Sequence, residues 1–546
     1  MKESILKHLE ALMAMKSLSY SAGENEPAEY FKKFFENLPY FKENPQLCGS
    51  YEIPSDPFGR RIPYGLLLGD TKETVLLSGH FDVVSTEEYG IAEEYAYGFG
   101  EELLESLRMM HLDERAEADL ESGEWLFGRG SCDMKGGLAI HAALFERYAE
   151  DALKGNLKGS LLFMLVPDEE SYSAGMRHGA KLLSQLKKEY GLNYKLMIDP
   201  EPTALEEGKQ TMSIGSVGKC MPAIIVQGKK GHSGHFFEGF SALSVISSIY
   251  ASINGSLDFC EICGNEMTMP PTWFNMRDMK RVYDVSIPYR AYGFFTVFSL
   301  NNTPEIIMTK VKAIAAAAFD AELAKLNLSY KKFKEAGAVK GEQDNIQYEP
   351  LVLTYEELVE LASNMDGFEE FYEALYEETL MDIDMGRLNY PDATIKMMET
   401  VLDFANLKMP LAVIGFAPPF YPPVHSDMVS GKKDYGTAAF EFVNGLSTET
   451  FGQPMIKENY FMGISDLSYS AVTSPFDYVA YGENTPLWGK GYSIDFESVE
   501  DIGIPSVIYG PIGREYHQYT ERVNKKSLLE IVPEVIKELI EYMWIY

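Results

Sequence analysis

The sequence has little cysteine, no excess of positive charge and no long apolar run. Its five cysteines are an odd number, and only Cys260 and Cys263 form a C-x-x-C pair. A structural zinc ribbon needs two such pairs, so that kind of site is excluded and we interpret both residues as reduced thiols. No stretch reaches the roughly 18 consecutive apolar residues of a membrane span, and the charged N-terminus lacks the apolar core of a signal peptide. We therefore expect a cytoplasmic protein with no place in a membrane.

Positive charge is scarce, since 48 Lys and Arg face 82 Asp and Glu for a formal net charge of −34. An acidic surface repels phosphate groups, so we expect neither nucleic acid nor an anionic membrane as a partner. The sequence also lacks a G-x-S-x-G elbow, a Walker loop and a G-x-G-x-x-G fingerprint. Their absence disfavours a serine hydrolase, a nucleoside triphosphatase and a dehydrogenase.

Apolar material is plentiful, at 46% hydrophobic and 13% aromatic residues in 546. A chain of this length and composition folds into more than one domain. Apolar runs that end in polar residues alternate with segments of helical period, which predicts an α/β fold with a mixed, mostly parallel sheet and flanking helices. The strand candidates are ETVLLSGHFDVV (73–84), GSLLFMLVPDEE (159–170), YKLMIDPEPT (194–203) and IPSVIYGPIG (504–513).

A change of pattern near Gly218 predicts an inserted smaller α+β domain over 217–340. It contains a strand, a helix, a second strand at YGFFTVFSL (292–300) and a long helix opened by Thr303 and Pro304. The main domain would then be discontinuous, comprising 1–216 and 341–546. The polar stretch 334–350 would be the exit linker. We interpret the acid-rich segment 85–125 as a surface excursion from the main domain.

Carboxylates and imidazoles follow four of the predicted strands. In open α/β sheets a ligand binds beyond the carboxyl ends of the strands, so these side chains are expected at one edge. Imidazole nitrogen and carboxylate oxygen are also the donors that catalytic zinc sites use. The residues concerned are His80, Asp82, Asp168, Glu169, Glu170, Asp199, Glu201 and His517.

Two short motifs add local detail to this metal-site hypothesis. In GHFDVV, strand alternation puts His80 and Asp82 on the same side, where Asp82 can support the histidine ring. In GRGSCDMKGG, glycines around Asp133 permit an irregular backbone just before a helix. A carboxylate in that position could face two metal ions.

The ordered set of motifs resembles the zinc-dependent family of aminoacylases, glutamate carboxypeptidases, acetylornithine deacetylases and succinyl-diaminopimelate desuccinylases. The resemblance runs from His80 to about His235 and resumes at GISDLSY (463–469) and around His517. The chain's length, its acidity and FAPPFYPP (416–423) are most similar to RocB-type arginine-utilisation proteins. The resemblance implies a hydrolase that cleaves an amide bond of an N-acyl amino acid or small peptide.

Carried over by position, the resemblance implies a role for each residue. His80 and Glu201 would bind one divalent ion, and Glu170 and His517 a second, with Asp133 bridging them. The ions would be zinc, with cobalt or manganese as substitutes. Glu169 would be the general base and Asp82 the support for His80. His232, in the inserted domain, would stabilise the oxyanion in the partner subunit's site, which implies a homodimer. Asp466 would lie in a loop beside the substrate.

Several alternatives stay open. Asp199 rivals Glu201 as a ligand, because DPEPT offers two carboxylates. A metal-dependent aminopeptidase or dipeptidase would differ only in its substrate pocket. A non-catalytic binding homologue would have lost a ligand or the base, whereas every such position here is filled. His235 could touch substrate. His8, His111, His141 and His178 need no role, and the stretch 340–460 matches no pattern we can assign.

Overall fold

The computed structural model describes residues 1–337, 345–474 and 476–546. Within it the chain divides into two compact units. The first unit comprises Met1–Val217, Pro422–Thr473 and Ile494–Tyr546. The second unit comprises Gly218–Tyr421 and Ser474–Ser493.

A large mixed sheet forms the centre of the first unit, and it confirms the predicted fold class. Four neighbouring strands, from Ser160–Met164 to Ser506–Ile508, pair in parallel. Most residues of these strands are apolar and buried, as the hydrophobic runs in the sequence predicted. In spatial order the strands are Cys48–Glu52, Arg61–Leu67, Ser160–Met164, Glu73–Leu77, Asn193–Asp199, Ser506–Ile508, Lys209–Ser213 and Ile456–Glu458, with Leu205–Glu206 paired to Lys209–Ser213.

Helices pack against this sheet. Those that contact its strands are Asn25–Asn37, Lys135–Leu153, Ala174–Tyr190 and Val532–Ile545. The other α-helices of the unit are Lys2–Met13, Pro39–Glu43, Glu101–Arg108, Glu114–Ser122, Tyr435–Phe451 and Phe496–Ile502. Two small sheets complete it, formed by Gly215–Ser216 with Val424–His425, and by Trp125–Phe127, Arg522–Asn524 and Gly513–Arg514. None of the helices within the described ranges combines the length and the apolar character that a membrane crossing requires.

The segment 85–125 is more than a surface excursion, because it has its own small core. Tyr89, Leu103, Leu107 and Leu120 are buried together in it with Phe127. This small core forms because apolar residues recur at helical spacing in an acidic sequence. Each short helix buries its apolar face and exposes its acidic residues to solvent.

The second unit is built on a sheet of its own. Its longest strand, Arg290–Ser299, pairs antiparallel with Gly218–Cys220, Pro222–Gln227 and Thr272–Asp278. Two further strands, Leu411–Phe416 and Leu351–Thr354, extend it, and Ile262–Cys263 forms a separate hairpin with Glu266–Met267. The helices are Ala242–Ile253, Pro304–Glu335, Tyr355–Ser363, Phe368–Asp384, Tyr390–Ala405 and Tyr478–Glu483. The long helix begins as predicted, with the Thr303 side chain accepting a hydrogen bond from the Ile306 amide.

This unit extends further along the chain than the range 217–340 predicted from the sequence. The strand Leu411–Phe416 pairs with Pro222–Gln227, and the helices between 355 and 405 share one apolar core with it. The pairing joins residues about 190 positions apart, and no local pattern announces it. The predicted boundary at 340 and much of the predicted linker lie outside the described residues.

Candidate metal centre

Four of the predicted site residues follow the carboxyl ends of neighbouring strands of the first unit. The strand Glu73–Leu77 leads to His80, Ser160–Met164 leads to Glu169 and Glu170, and Asn193–Asp199 leads to Glu201. The prediction that one strand continues through His80 and Asp82 is wrong, because the regular strand ends at Leu77. His80 and Asp82 lie beyond this end. His80 forms an isolated β-bridge with Val166, which follows the neighbouring strand Ser160–Met164.

His80, Asp133 and Glu201 form the first group of possible metal ligands, with one donor atom of each lying within 4.8 Å of the others. The His80 Nε2 atom is 3.2 Å from Asp133 Oδ1 and 3.4 Å from Glu201 Oε1. All three side chains are buried. Burial would lower the pKa of His80, but the neighbouring carboxylates, above all Glu201, raise it well above the ordinary value.

Asp133, Glu170 and His517 form the second group, also with donor atoms within 4.8 Å of one another. The His517 Nε2 atom is 3.0 Å from Glu170 Oε2 and 3.2 Å from Asp133 Oδ2. Hydrogen bonds to these two carboxylates raise the pKa of His517 to about 10. Burial and the charge of Asp133 raise the pKa of Glu170 to about 7.

Asp133 joins the two groups, because each of its oxygens faces a different histidine. Burial would raise the pKa of Asp133, but hydrogen bonds from His517 and His80 lower it below the usual range. Asp133 stands just ahead of the helix Lys135–Leu153, whose start lies close to the segment that carries Glu201. A Cβ at Gly137 would lie 2.2 Å from the Pro200 carbonyl oxygen, so only glycine allows this approach.

Asp82 supports more of the site than its motif predicted. His80 Nδ1 lies 3.1 Å from the backbone oxygen of Asp82 and 3.4 Å from its carboxylate. The same carboxylate accepts hydrogen bonds from the amides of Glu169, at 3.2 Å, and Glu170, at 3.1 Å. One buried side chain therefore contacts a possible ligand of the first group and holds the backbone that carries a possible ligand of the second.

Glu169 lies beside the first group without belonging to either. Its Oε2 atom is 3.9 Å from His80 Nε2, and its side chain is buried. Burial raises the pKa of Glu169 well above that of an exposed glutamate, against the attraction of His80, and the charge of Glu201 adds to the shift. A carboxyl group with a raised pKa is suited to accept a proton and return it.

Asp168, the first acid of PDEE (167–170), lies outside both groups and has a different environment. Asp168 forms an ion pair with the buried Arg60 at 2.8 Å, and Arg60 also pairs with Glu24 and Asp56. Asp168 has a positive φ of 71°, and it accepts a hydrogen bond from the Ala174 amide. Asp168 therefore fixes the turn that presents Glu169 and Glu170.

Geometry favours Glu201 over its rival Asp199. Asp199 is buried at the end of its strand, and in the described ranges neither of its oxygens has a hydrogen-bond partner or joins a ligand group. Burial and the charge of Glu201 raise the pKa of Asp199 well above its usual range. Asp466 is buried too, and burial raises its pKa to about 8.

Glu521 and Arg129, which the sequence did not single out, support the backbone at Asp133. The buried Glu521 carboxylate accepts hydrogen bonds from the amides of Cys132, at 3.2 Å, and Asp133, at 3.3 Å. Its other oxygen is 2.6 Å from Arg129 Nη1. Arg129 lies in GRGSCDMKGG (128–137) and Glu521 ends REYHQYTE (514–521), and no local pattern in either stretch marks the two residues as a pair.

His232 belongs to the second unit, where it is exposed in the loop between Pro222–Gln227 and Ala242–Ile253. Its Nδ1 atom accepts a hydrogen bond of 3.0 Å from the Gly234 amide. An Nδ1 that accepts leaves the ring proton of a neutral imidazole on Nε2, which is then a donor. His235 is exposed nearby, with ring centroids 6.0 Å apart.

The donor set fits divalent metal ions. Two groups of nitrogen and oxygen donors share one carboxylate, and the acids around them outnumber the two histidines. A surplus of buried negative charge is unfavourable unless cations balance it. Histidine with carboxylates is a donor set that zinc accepts, with room for a further ligand.

Comparison with known proteins agrees with this chemistry. The family model described as peptidase family M20/M25/M40 matches residues 76–542. The uncharacterised protein YqjN of Bacillus subtilis is 30% identical over 98% of this chain and 95% of its own length. Protein RocB of the same organism is 26% identical over 97% of this chain and 93% of its own length. These findings confirm the family resemblance.

The crystal structure of aminopeptidase PepT from Bacillus cereus shares the fold. Its TM-score is 0.54 at 14% sequence identity, and the match covers 100% of this chain and 99% of that one. At this level of identity the likeness speaks for the architecture, in agreement with the α/β class predicted from the alternation of strands and helices.

Proposed function

We propose that this chain, which belongs to peptidase family M20/M25/M40, hydrolyses the amide bond of an N-acyl amino acid or a small peptide. The proposed centre holds two divalent ions, and we propose zinc for both. Membership of the family makes this chain a metal-dependent peptidase or deacylase that cleaves amide bonds. The observation that carries the proposal is the pair of ligand groups that share Asp133.

In this proposal His80, Asp133 and Glu201 hold one ion, and Asp133, Glu170 and His517 hold the other. Bound ions would supply the Lewis acidity that polarises an amide carbonyl and lowers the pKa of water. Two ions bridged by one carboxylate are the arrangement of many hydrolases.

Glu169 is the proposed general base. It is buried beside His80, and its backbone is fixed by Asp82 on one side and by the turn at Asp168 on the other. Glu169 takes a proton from the attacking water and returns it to the leaving amine. Burial raises the pKa of Glu169, which favours the protonated form that the second step needs.

His232 is the proposed oxyanion donor, acting on the site of a partner subunit in a homodimer. Support comes from its tautomer, since the bond from the Gly234 amide leaves Nε2–H free to donate to a developing negative charge. The assignment of the partner rests on the family resemblance of the motif GKKGHSGH.

The substrate is best sought with a hydrolysis screen. N-acyl amino acids and dipeptides should be tested with the zinc-loaded protein, with the chelator-stripped protein as the control. Derivatives of arginine belong in the screen because RocB is a relative over nearly the whole chain. Cleavage only of substrates with a free N-terminus would identify an aminopeptidase or dipeptidase, and no cleavage of any substrate would contradict the proposal.

We expect the purified protein, reconstituted with zinc and dialysed, to retain two ions per chain. The reason is that two separate donor groups share the Asp133 carboxylate. Elemental analysis measures the content, and the double variant His80→Ala with His517→Ala, which removes both nitrogen donors, serves as the control. A folded wild-type protein that retains no metal would contradict the site assignment.

A further inference from the structure

The segment 85–125 contacts the part of the chain that carries His517. The contacts come mainly from the helix Glu114–Ser122 and from the strand Trp125–Phe127, which pairs with Arg522–Asn524. We refer to residues 513–522 as the His517 segment. The two pieces are far apart in sequence, and they meet through charged side chains that the proposed mechanism does not use.

Asp119, on the helix Glu114–Ser122, binds two arginines of the His517 segment with one carboxylate oxygen. Its Oδ2 atom is 2.5 Å from Arg514 Nη1 and 2.8 Å from Arg522 Nε. The Arg522 side chain is fully buried, and that of Asp119 is 13% exposed. An ion pair shielded to this degree from solvent is much less screened than a surface pair.

Glu515, two residues before His517, is held from both sides. Arg115 Nη2 of the same helix lies 2.9 Å from Glu515 Oε1, and Arg522 Nη1 lies 2.6 Å from Glu515 Oε2. The Thr520 hydroxyl donates to the same Oε2 at 2.6 Å. The Tyr519 hydroxyl also donates, to the His111 carbonyl oxygen at 2.5 Å.

The backbone of the His517 segment needs such support. Glu515 has a φ of 53° and His517 a φ of 64°, both in the left-handed region that non-glycine residues disfavour. Conformations of this kind persist only where the surrounding structure enforces them. From the segment 85–125, Asp119 and Arg115 supply the ionic contacts to the His517 segment, and His111 accepts the hydrogen bond from Tyr519.

We propose that Asp119 is a positioning residue that holds His517 in place for the second ion, acting through Arg514 and Arg522. The inference rests on the proposed metal centre and extends it, because it assigns the segment 85–125 a part in building one half of that centre. In the first group, His80 and Glu201 follow strands of the large sheet, the His80 ring contacts Asp82, and among the described residues neither side chain forms an ion pair with this helix.

The test compares Asp119→Ala with the matched control Glu121→Ala. Glu121 is on the same helix, but its carboxylate pairs with Arg108, at 3.4 Å. Calorimetric titration of the metal-free proteins with zinc measures each binding step. We expect Asp119→Ala to keep one ion at wild-type affinity and to bind the second at least about tenfold more weakly, as for other groups that orient a ligand. Asp119→Glu should restore part of the loss, and Glu121→Ala should match the wild type.

Hydrogen exchange of the metal-free proteins gives a readout that does not depend on metal. Amides of residues 513–522 should exchange faster in Asp119→Ala, while those of the strand Glu73–Leu77 stay unchanged. Arg115→Gln, at a side chain that is 60% exposed, should show the same pattern more weakly and covers the case in which Asp119→Ala does not fold.

Two results would overturn the inference. One is unchanged exchange over 513–522 in both variants, and the other is an equal loss of affinity for both ions. A wild-type protein that binds no zinc contradicts the proposed metal centre instead, and the exchange pattern then still decides whether Asp119 holds the His517 segment.

Discussion

Glu169→Gln is expected to lower kcat by about 10²- to 10⁴-fold while the protein keeps its metal, because an amide has the shape of the carboxylate but cannot take a proton from water. This expectation rests on the position of Glu169. Glu169 is buried beside His80 but is not one of the donors in either ligand group. Its loss therefore removes proton transfer without removing a ligand.

Glu170→Gln is the matched comparison, because it makes the same chemical change one residue along the chain. Its carboxylate is 3.0 Å from His517 Nε2, within the second ligand group. We expect this variant to lose the second ion, and to lose activity as a consequence of that. Kinetics together with elemental analysis of both variants separate the two roles. If Glu169→Gln loses metal and Glu170→Gln keeps it, base and ligand have been exchanged in our assignment.

The candidate ligands could be predicted from the sequence because each stands in a short local motif. His80, Glu170 and Glu201 follow apolar runs, and Asp133 stands in a glycine-rich turn. The order of the motifs then identified the family, and the family model matches residues 76–542. The parallel sheet followed from the same runs, since strands buried on both faces are apolar throughout.

Residues that act over long distances in sequence could not be found in this way. The pair Arg129–Glu521 spans 392 positions, and the pair of Asp119 with Arg522 spans 403. An isolated acid or base in such places looks like any surface charge. Its function depends on burial and on a partner, and both are properties of the folded chain. The second unit was underestimated for the same reason, because its strand Leu411–Phe416 pairs with one far upstream.

His232→Ala is expected to lower kcat by about a hundredfold or more, with zinc content unchanged, as when other oxyanion donors are removed. The side chain belongs to the second unit, and the ligand groups belong to the first. Its loss should therefore leave both ions bound. His235→Ala is the matched control, because that histidine is exposed three residues along the same loop and pairs with Glu238 at 3.4 Å. We expect its effect on kcat to be much smaller.

Mixing two inactive variants tests whether the donor comes from the partner subunit. In a dimer of His232→Ala with Glu169→Gln, the site of the His232→Ala chain keeps its own Glu169 and receives an intact His232 from its partner. The other site lacks both groups. Equal mixing gives such heterodimers in half of the assemblies, each with one competent site, so we expect about a quarter of wild-type activity if subunits exchange freely. Light scattering establishes the dimer, and differently tagged chains establish the exchange. If exchange is proven and activity does not return, His232 acts within its own chain or takes no part in the reaction.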